Sequence, residues 1–146
     1  MVIIITGTPG TGKTTLAKKI AKEKCYTHID VNKIIDREKL SEGYDKLRKS
    51  KIIDTKKLNK SLIKLIKENK NIVIDSHLSH YLPKKYVDSC IVTKCSLKTL
   101  EKRLKKRKYS KSKIRENLDA EIFDTCKVEA EENGHKIKVV WTDKKN

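Results

Sequence analysis

The sequence predicts an α/β domain in which a parallel sheet of about five strands carries helices on both faces. Short apolar runs alternate with longer segments whose apolar residues recur every three or four positions, and the first run leads directly into a glycine-rich loop. Such alternation is typical of parallel strands joined by helices. A chain of 146 residues has the size of one domain, which we expect to span residues 1–146.

Five apolar runs have the length and composition of strands that are buried on both faces. The second run along the chain is the weakest of the five. The predicted strands are residues 2–5, 26–29, 72–74, 90–92 and 137–141. Because ligands bind beyond the carboxyl ends of the strands in such sheets, we expect the functional residues just after these runs.

The segments between the runs contain apolar stripes with helical spacing. One helix follows the glycine-rich loop, a second is expected to begin at Thr55 as its N-cap, and a third follows Ser96. Their apolar positions are Leu16, Ala17, Ile20 and Ala21, then Leu58, Leu62, Leu65 and Ile66, then Leu97, Leu100 and Leu104.

A further helix is predicted to run without a break to the Asn133-Gly134 pair, which is a good C-terminal signal. Its apolar residues step by four through Ile114, Leu118, Ile122, Cys126 and Ala130. We therefore expect one long amphipathic helix before the final strand.

The loop after the first run fits the pattern G-x-x-x-x-G-K-T between Gly7 and Thr14. Glycines let backbone N–H groups approach phosphate oxygens, and the start of the following helix adds its positive dipole end. In this pattern Lys13 reaches the β- and γ-phosphates, and the hydroxyl of Thr14 ligates Mg²⁺. Because a strand precedes the loop and a helix follows it, we expect the chain to bind a nucleoside triphosphate.

The rest of the chain separates the classes of protein that share this loop. A GTPase should carry an N-K-x-D element, and the nearest stretch, residues 32–36, is one residue too long and lies too early. The chain is also short for an oligomeric motor ATPase. A small nucleotide kinase or a compact single-domain ATPase remains.

Two insertions favour the kinase. The polar segment 30–54 has the length of a flap that closes over a second nucleotide, and the basic segment 103–111 lies between two helices as a lid would. An arginine-bearing lid adds positive charge to the transferred phosphoryl group and expels water. The basic segment remains open to two other interpretations, a solvated charge run or a patch that holds an RNA backbone.

Asp75 ends the run 72–74, where a carboxylate would orient Mg²⁺ or its water shell, or alternatively cap the next segment. His77 and His80 follow, without a third metal ligand at a matching spacing. We therefore expect His77 to contact phosphate or the attacking water, since a neutral imidazole can orient a nucleophile. Base contacts should come from the lid helix and from residues 142–143 after the last run.

The charge balance predicts an anionic partner. Lysine and arginine total 36 against 19 acidic residues, which gives a net charge of +17. RNA is the natural candidate beyond a nucleotide, and a lysine-rich solvated surface is the alternative. With five Tyr, one Trp and one Phe, the chain shows no basic run interleaved with aromatic stackers, so no RNA-binding module is visible.

The remaining composition predicts a cytoplasmic protein. No apolar run approaches the length of a membrane span, and the first strand leaves no space for a leader peptide. The four cysteines form neither a C-x-x-C pair nor a zinc spacing, so we expect reduced thiols.

Several motifs occur together in a fixed order. Residues 7–15 read G-T-P-G-T-G-K-T-T, residues 75–77 read D-S-H, and residues 107–123 read R-x-Y-S-x-x-K-I-x-E-N-L-x-A-E-I-F. Gly43-Tyr44-Asp45 and Ile53-Asp54 lie between them. With these motifs, essentially the whole chain resembles the adenylate kinase isoenzyme 6 family of archaea and eukaryotes, also called the ribosome-maturation nucleotide kinases.

The resemblance implies a P-loop nucleoside monophosphate kinase fold, with a monophosphate-binding flap at about residues 28–51 and a short lid at about residues 106–116. It implies Mg²⁺-dependent transfer from ATP to AMP or another nucleoside monophosphate, together with ATPase activity. It also implies a role in small ribosomal subunit maturation, through ribosomal protein uS11 and the 30S precursor. The alternative is an ATP-switched assembly factor with little kinase activity.

Carried over by position, the resemblance assigns catalytic roles to Lys13, Asp75, His77 and Arg107, and metal ligation to Thr14 and Asp75. The implied ATP-binding residues are Gly10, Thr11, Gly12, Lys13, Thr14, Thr15 and Arg107, and the implied acceptor residues are Arg37, Asp45 and Asp54. Two positions depart from the family pattern. Lys108 replaces the usual glycine after the lid arginine, and Asp36, with Arg37 beside it, stands where the flap arginine is usual.

Overall fold

The computed structural model describes residues 1–45 and 50–143, without the side chains of residues 44–45 and 50–52. The strands are β1 (Val2–Thr6), β2 (Thr27–Asp30), β3 (Ser41–Asp45), β4 (Ser50–Ile53), β5 (Ile72–Asp75), β6 (Ser89–Lys94) and β7 (Ile137–Trp141). The helices are α1 (Lys13–Lys24), α2 (Val31–Arg37), α3 (Thr55–Glu68), α4 (Leu97–Lys106), α5 (Lys111–Ile122) and α6 (Thr125–Glu132).

Five strands form one parallel sheet in the order β2-β5-β1-β6-β7, which confirms the predicted fold class and all five predicted strands. The other two strands, β3 and β4, pair antiparallel as a separate hairpin inside the segment predicted as the flap. The central strand β1 lies between β5 and β6, with Ile5 opposite Asp75 and Thr6 opposite Val92. The loop after β1 and the end of β5 therefore meet at one edge of the sheet.

The core divides into two layers because successive residues of β1 point to opposite faces. Ile4 faces a cluster with Leu58 and Leu62 of α3, all fully buried. Ile3 and Ile5 face the other cluster, which α1 covers with Ala17 and Ala21. Small alanines on that side let the helix that follows the glycine-rich loop lie close to the sheet.

A third cluster joins α4 and α5, the two helices at the predicted lid, which are called the lid helices below. Leu100 and Leu104 of α4 pack against Ile114 of α5 and Cys95, and Tyr109 in the turn between the helices is partly buried against them. This cluster fixes which face of each helix points inward and which face points to the carboxyl edge of the sheet.

The prediction of one unbroken helix through residue 130 is wrong. The chain leaves the helix after Ile122, and Asp124 adopts a left-handed conformation (φ 52°) before α6 begins at Thr125. The carboxylate of Asp124 forms an ion pair with Lys94 at the end of β6, which is a tertiary contact that the four-residue period does not reveal. The predicted end is confirmed, since α6 stops at Glu132 and Gly134 has a φ of +85°.

All four cysteines are free thiols. Burial raises the pKa of Cys90 to about 12 and that of Cys95 to about 11, so these two are protonated at neutral pH.

Within residues 1–45 and 50–143, none of the helices combines the length and the apolar character needed to cross a membrane.

The N-cap of α3 is Asp54 rather than the predicted Thr55. The side chain of Asp54 accepts a hydrogen bond from the backbone N–H of Lys56, at 2.9 Å. A carboxylate at this position satisfies an unpaired N–H and favours the positive end of the helix dipole. Asp54, which the resemblance assigns to the acceptor, is therefore already occupied in a structural contact.

Replacing Asp54 with alanine should lower the free energy of unfolding by about 0.5–2 kcal/mol, because the cap hydrogen bond is lost. Asp54→Asn keeps an acceptor oxygen and serves as the matched control, with stability close to wild type. Urea denaturation measures both variants. Equal stability of Asp54→Ala and wild type would contradict the cap assignment.

Candidate active site

A cleft of about 480 Å³ opens at the carboxyl edge of the sheet. Three parts of the chain line it: the glycine-rich loop with the start of α1, the end of β5 with the residues after it, and the lid helices. The predicted residues that meet there are Gly10, Gly12, Lys13, Thr14, Thr15, Asp75, His77 and Arg107. The structure thus brings the predicted catalytic and metal residues to one site.

Gly7 begins the loop in a backbone conformation that glycine alone adopts readily, with φ +150°. A Cβ atom at Gly7 would lie 2.8 Å from the carbonyl oxygen of Thr93 on β6. The loop therefore passes too close to the neighbouring strand for any side chain at this position.

Hydroxyl groups hold the loop from below. The hydroxyl of Thr11 donates to the carbonyl of Thr8 at 2.6 Å and lies 2.8 Å from that of Thr93. The hydroxyl of Thr142, after β7, donates to the carbonyl of Thr11 at 2.6 Å. Thr11 is fully buried, so its side chain braces the loop from inside and does not line the cleft.

Lys13 is half-buried, and its ammonium group donates to the carbonyls of Gly7 and Thr8 at 3.0 and 3.2 Å. Burial is the main cause that lowers the pKa of Lys13 to about 8, and the nearby charge of Arg107 lowers it further. Cys126 and Asp75 act in the opposite direction. An anionic phosphate beside Lys13 would favour the charged form, and the side chain must leave its own loop carbonyls to reach it.

Thr14 and Asp75 form the pair of oxygens that the sequence predicts as a magnesium site. The Thr14 hydroxyl donates to one carboxylate oxygen of Asp75 at 3.0 Å. A hydroxyl and a carboxylate are hard oxygen donors, and Mg²⁺ in phosphate sites takes one or two protein oxygens, with water and phosphate completing its shell. The donor set therefore fits Mg²⁺.

His28 is a site residue that the sequence interpretation missed. Its Nε2 atom forms a short hydrogen bond with the second carboxylate oxygen of Asp75. His28 lies in β2, opposite Val73 of the neighbouring strand β5. Asp75 is two residues after Val73 and points to the same face of the sheet, so the side chains of His28 and Asp75 meet diagonally across the two strands. In the sequence, the only sign of this role is a histidine in the weakest apolar run. The strand order is needed to show that this histidine lies next to Asp75.

His77 faces the cleft near Lys13. Desolvation by the surrounding protein, followed by the charges of Lys13 and His80, lowers the pKa of His77 to about 4. The ring is exposed to water in the open cleft, which screens part of these interactions. The direction makes His77 neutral at pH 7, as an imidazole that orients a nucleophile must be.

His80 is separate from the cleft. It is 1% exposed and its Nδ1 atom lies 2.6 Å from the hydroxyl of Thr6 at the end of β1. Its Nε2 atom lies 3.4 Å from Glu129 of α6. His77 and His80 therefore do not share a ligand position, and His80 links the central strand to α6.

The lid turn keeps the conformation that a glycine would favour. Arg107 lines the cleft, and Lys108 after it has a φ of +60°. The left-handed conformation costs an L-residue about 1–2 kcal/mol. The departure from the family pattern at Lys108 thus preserves the turn at some cost in stability.

A second cavity, of about 650 Å³, lies beside the loop on the other side of Arg107. Arg103 of α4 borders it and donates to the hydroxyl of Thr142 at 2.9 Å and to the carbonyl of Gly10 at 3.3 Å. The lid helix and the loop after β7 meet here, where the sequence predicts base contacts. The carboxylate of Asp143 instead accepts from the N–H of Ser96, at 2.9 Å.

Two of the predicted acceptor residues, Arg37 and Asp54, lie away from the described cleft lining. Arg37 is the exposed last residue of α2, and Asp54 caps α3. The side chain of Asp45 lies outside the described residues. On the flap side, the cleft is bordered by Asn32, at the start of α2, and by Tyr81 after β5.

The chain is similar over nearly its whole length to proteins named as adenylate kinases. A family model described as an AAA domain matches residues 3–124. A Pyrococcus furiosus protein, named as a proposed adenylate kinase, is 38% identical over 145 residues, covering 99% of this chain and 77% of that protein. The adenylate kinase isoenzyme 6 homolog of Dictyostelium discoideum is 37% identical over 138 residues, covering 94% of this chain and 78% of its own length.

A solved structure of similar shape carries a different name. Shikimate kinase from Aquifex aeolicus superposes with a TM-score of 0.62 at 17% identity, covering 99% of this chain and 88% of that chain. At this identity the likeness concerns the fold alone.

Gly7→Ala should abolish nucleotide binding and lower the free energy of unfolding by about 1–3 kcal/mol from backbone conformation, with the contact against Thr93 in addition. Gly134→Ala is the matched control. It also has a positive φ, but its Cβ meets only the flexible side chain of Lys84, at 3.1 Å.

Urea denaturation and ATP titration calorimetry measure both variants. Gly134→Ala should lose about 1–2 kcal/mol and bind ATP as the wild type does. If Gly7→Ala binds ATP with unchanged affinity, the proposed role of the loop conformation is wrong.

Proposed function

The chain belongs to the adenylate kinase isoenzyme 6 family, and we propose that it transfers the γ-phosphoryl group of ATP to AMP or another nucleoside monophosphate. The observation that carries the proposal is the contact of Thr14 with Asp75 beside Lys13, in a cleft of about 480 Å³. The second cavity, at Arg103, suits the base of the donor nucleotide. The space between α2 and Tyr81 suits the acceptor.

Transfer breaks the bond between the γ-phosphorus and the bridging oxygen, whose electron pair stays on ADP, and forms a bond to a phosphate oxygen of the acceptor. The step needs alignment and positive charge on the equatorial oxygens. Lys13 at the β- and γ-phosphates supplies that charge, and Arg107 on the lid adds positive charge along the donor phosphates. Bound Mg²⁺, held by Thr14 and Asp75, would neutralise phosphate charge and orient the oxygens.

Hydrolysis uses the same site with water as the acceptor. A neutral His77 can accept a hydrogen bond from the attacking water and orient it toward the γ-phosphorus. The low pKa of His77, caused first by desolvation and then by Lys13, supports this role. We propose that the protein hydrolyses ATP when no monophosphate fills the acceptor side.

Mixing the protein with Mg-ATP and each monophosphate in turn, and resolving the products by chromatography, tests the transferase. With AMP as the acceptor, we expect both ATP and AMP to be converted to ADP. Without an acceptor, we expect phosphate to be released from ATP more slowly than ADP is formed with AMP. Lys13→Ala should lower the rate at least about 100-fold, because charge on the transferred group is lost.

Lys18→Ala is the matched control, since Lys18 is an exposed residue of the same helix outside the cleft lining. It should keep the wild-type rate. The transferase proposal would be contradicted if phosphate were released at the same rate whether or not a monophosphate is present, and if no monophosphate were converted to a diphosphate.

A second candidate function rests on charge. Lys56, Lys60, Lys64 and Lys67 lie along one exposed side of α3, bordering a groove whose described lining contains no acidic residue. Helical rise places successive members about 4.5–6 Å apart along the axis, so several lysines of one row can neutralise phosphates of the same strand. We propose that the protein also acts as an ATP-switched factor in small-subunit maturation, binding ribosomal protein uS11 and the 30S precursor.

Binding of immobilised uS11 and of 30S precursors, with and without ATP, tests this function. Reversing two charges on α3 (Lys60→Glu with Lys64→Glu) should weaken precursor binding about tenfold at low salt and reduce its salt dependence, because fewer phosphates are neutralised. The control reverses Lys18 and Lys22, two exposed lysines of α1. No ATP-sensitive association, or equal losses in both double variants, would count against the proposal.

A further inference from the structure

Three cations border the described part of the cleft, and two of them are already used. Lys13 belongs to the loop and Arg107 to the predicted lid. The third is Lys113, on the first turns of α5. Nothing in the transfer step described so far involves it, although it is half-buried and faces the same space as His77.

The register of α5 directs Lys113 into the cleft. Ser110 caps the helix by accepting from the N–H of Lys113, and Ile114 is buried in the cluster between the lid helices. One helical position turns the chain by about 100°, so the residue before Ile114 emerges on another face. The residues of α5 that line the cleft recur every three or four positions, so they lie on one side of the helix. They are Lys113, Glu116, Asn117 and Ala120.

Tyr109 holds the ammonium group of Lys113. The Nζ atom lies 4.3 Å from the centre of the Tyr109 ring, within the range of a cation–π contact. Tyr109 is itself packed against the cluster between the lid helices. A lysine loses rotamer entropy when it is ordered, and a ring that already restrains it reduces the loss on ligand binding.

The two lid cations border different spaces. Arg107 lines both the cleft and the cavity at Arg103, so it lies above the junction between them. Among the described residues, those lining the Arg103 cavity do not include Lys113, which shares the cleft with Asp75 and His77. Lys113 therefore belongs to the cleft alone, whereas Arg107 also reaches the cavity that suits the base of the donor nucleotide.

We propose that Lys113, held by the ring of Tyr109, is a catalytic lid cation that contacts the transferred phosphoryl group, whereas Arg107 contacts the donor phosphates that stay on ADP. The inference rests on the proposed phosphotransferase function. Charge spreads over the equatorial oxygens as the bond to the bridging oxygen breaks, and a cation placed there stabilises the transition state more than the bound substrate.

Steady-state kinetics of Lys113→Ala separates this role from substrate binding. The kcat should fall about 100-fold while the KM for ATP changes less than about threefold, because the contact strengthens only in the transition state. Lys113→Arg should restore part of the kcat. Lys102→Ala, at an exposed lysine of α4 outside the predicted lid and the cleft lining, is the matched control and should behave as the wild type.

Tyr109 is tested by two replacements. Tyr109→Leu keeps an apolar side chain in the lid cluster but removes the aromatic face, and it should lower the kcat about 3–10-fold, in line with a contact of about 1 kcal/mol. Tyr109→Phe should recover most of the lost rate.

A binding measurement distinguishes catalysis from structural support. ADP with aluminium fluoride imitates the transferred group, and the wild type should bind it more tightly than ADP alone in calorimetry. Lys113→Ala should lose most of that preference with its affinity for ADP unchanged, whereas Arg107→Ala should weaken the binding of ADP itself. A merely structural Lys113 would lower both affinities together.

The outcomes separate the inference from the function beneath it. If the wild type turns over and Lys113→Ala matches Lys102→Ala in kcat, or changes only KM, the assignment of Lys113 is overturned and the phosphotransferase stands. If the wild type neither transfers phosphate nor hydrolyses ATP, the proposed function fails and the assignment of Lys113 falls with it.

Discussion

The parallel pairing of β1 with β5 is the constraint on which the site depends. It sets Ile5 opposite Asp75, so the loop that leaves β1 and the carboxylate that ends β5 arrive at one edge of the sheet. The first turn of α1 then brings the hydroxyl of Thr14 to 3.0 Å from that carboxylate. A slip of one residue in this register would turn Asp75 to the opposite face and separate the two oxygens.

Polar contacts, more than apolar packing, hold the phosphate-binding loop in place. Buried hydroxyls of Thr11 and Thr93 pair with each other below it, and Thr142 fastens it to the end of β7. Glu121 of α5 is 7% exposed and accepts from the hydroxyl of Thr8 and the N–H of Cys95, at 3.4 and 3.3 Å. The loop and the helix that carries Lys113 are therefore braced against each other through one carboxylate.

Much of the fold and part of the site could be predicted from local patterns. The five strands of the main sheet follow from short apolar runs, and Lys13 and Thr14 follow from the spacing of the loop. The break at Asp124 could not be predicted, because the four-residue period continues through it while the ion pair with Lys94 comes from a distant strand. The cap at Asp54 was missed because Asp and Thr are both common caps and stand side by side.

By itself, the sequence indicated which residues to expect at a phosphate and magnesium site, since glycine spacing and side-chain chemistry are local properties. Tertiary structure alone decided which side chains surround them. His28 reaches Asp75 only because β2 lies beside β5, and Arg103 meets Thr142 only because α4 lies over the end of β7. Strand order and helix register bring together residues far apart in the chain, and no short-range pattern encodes such distances.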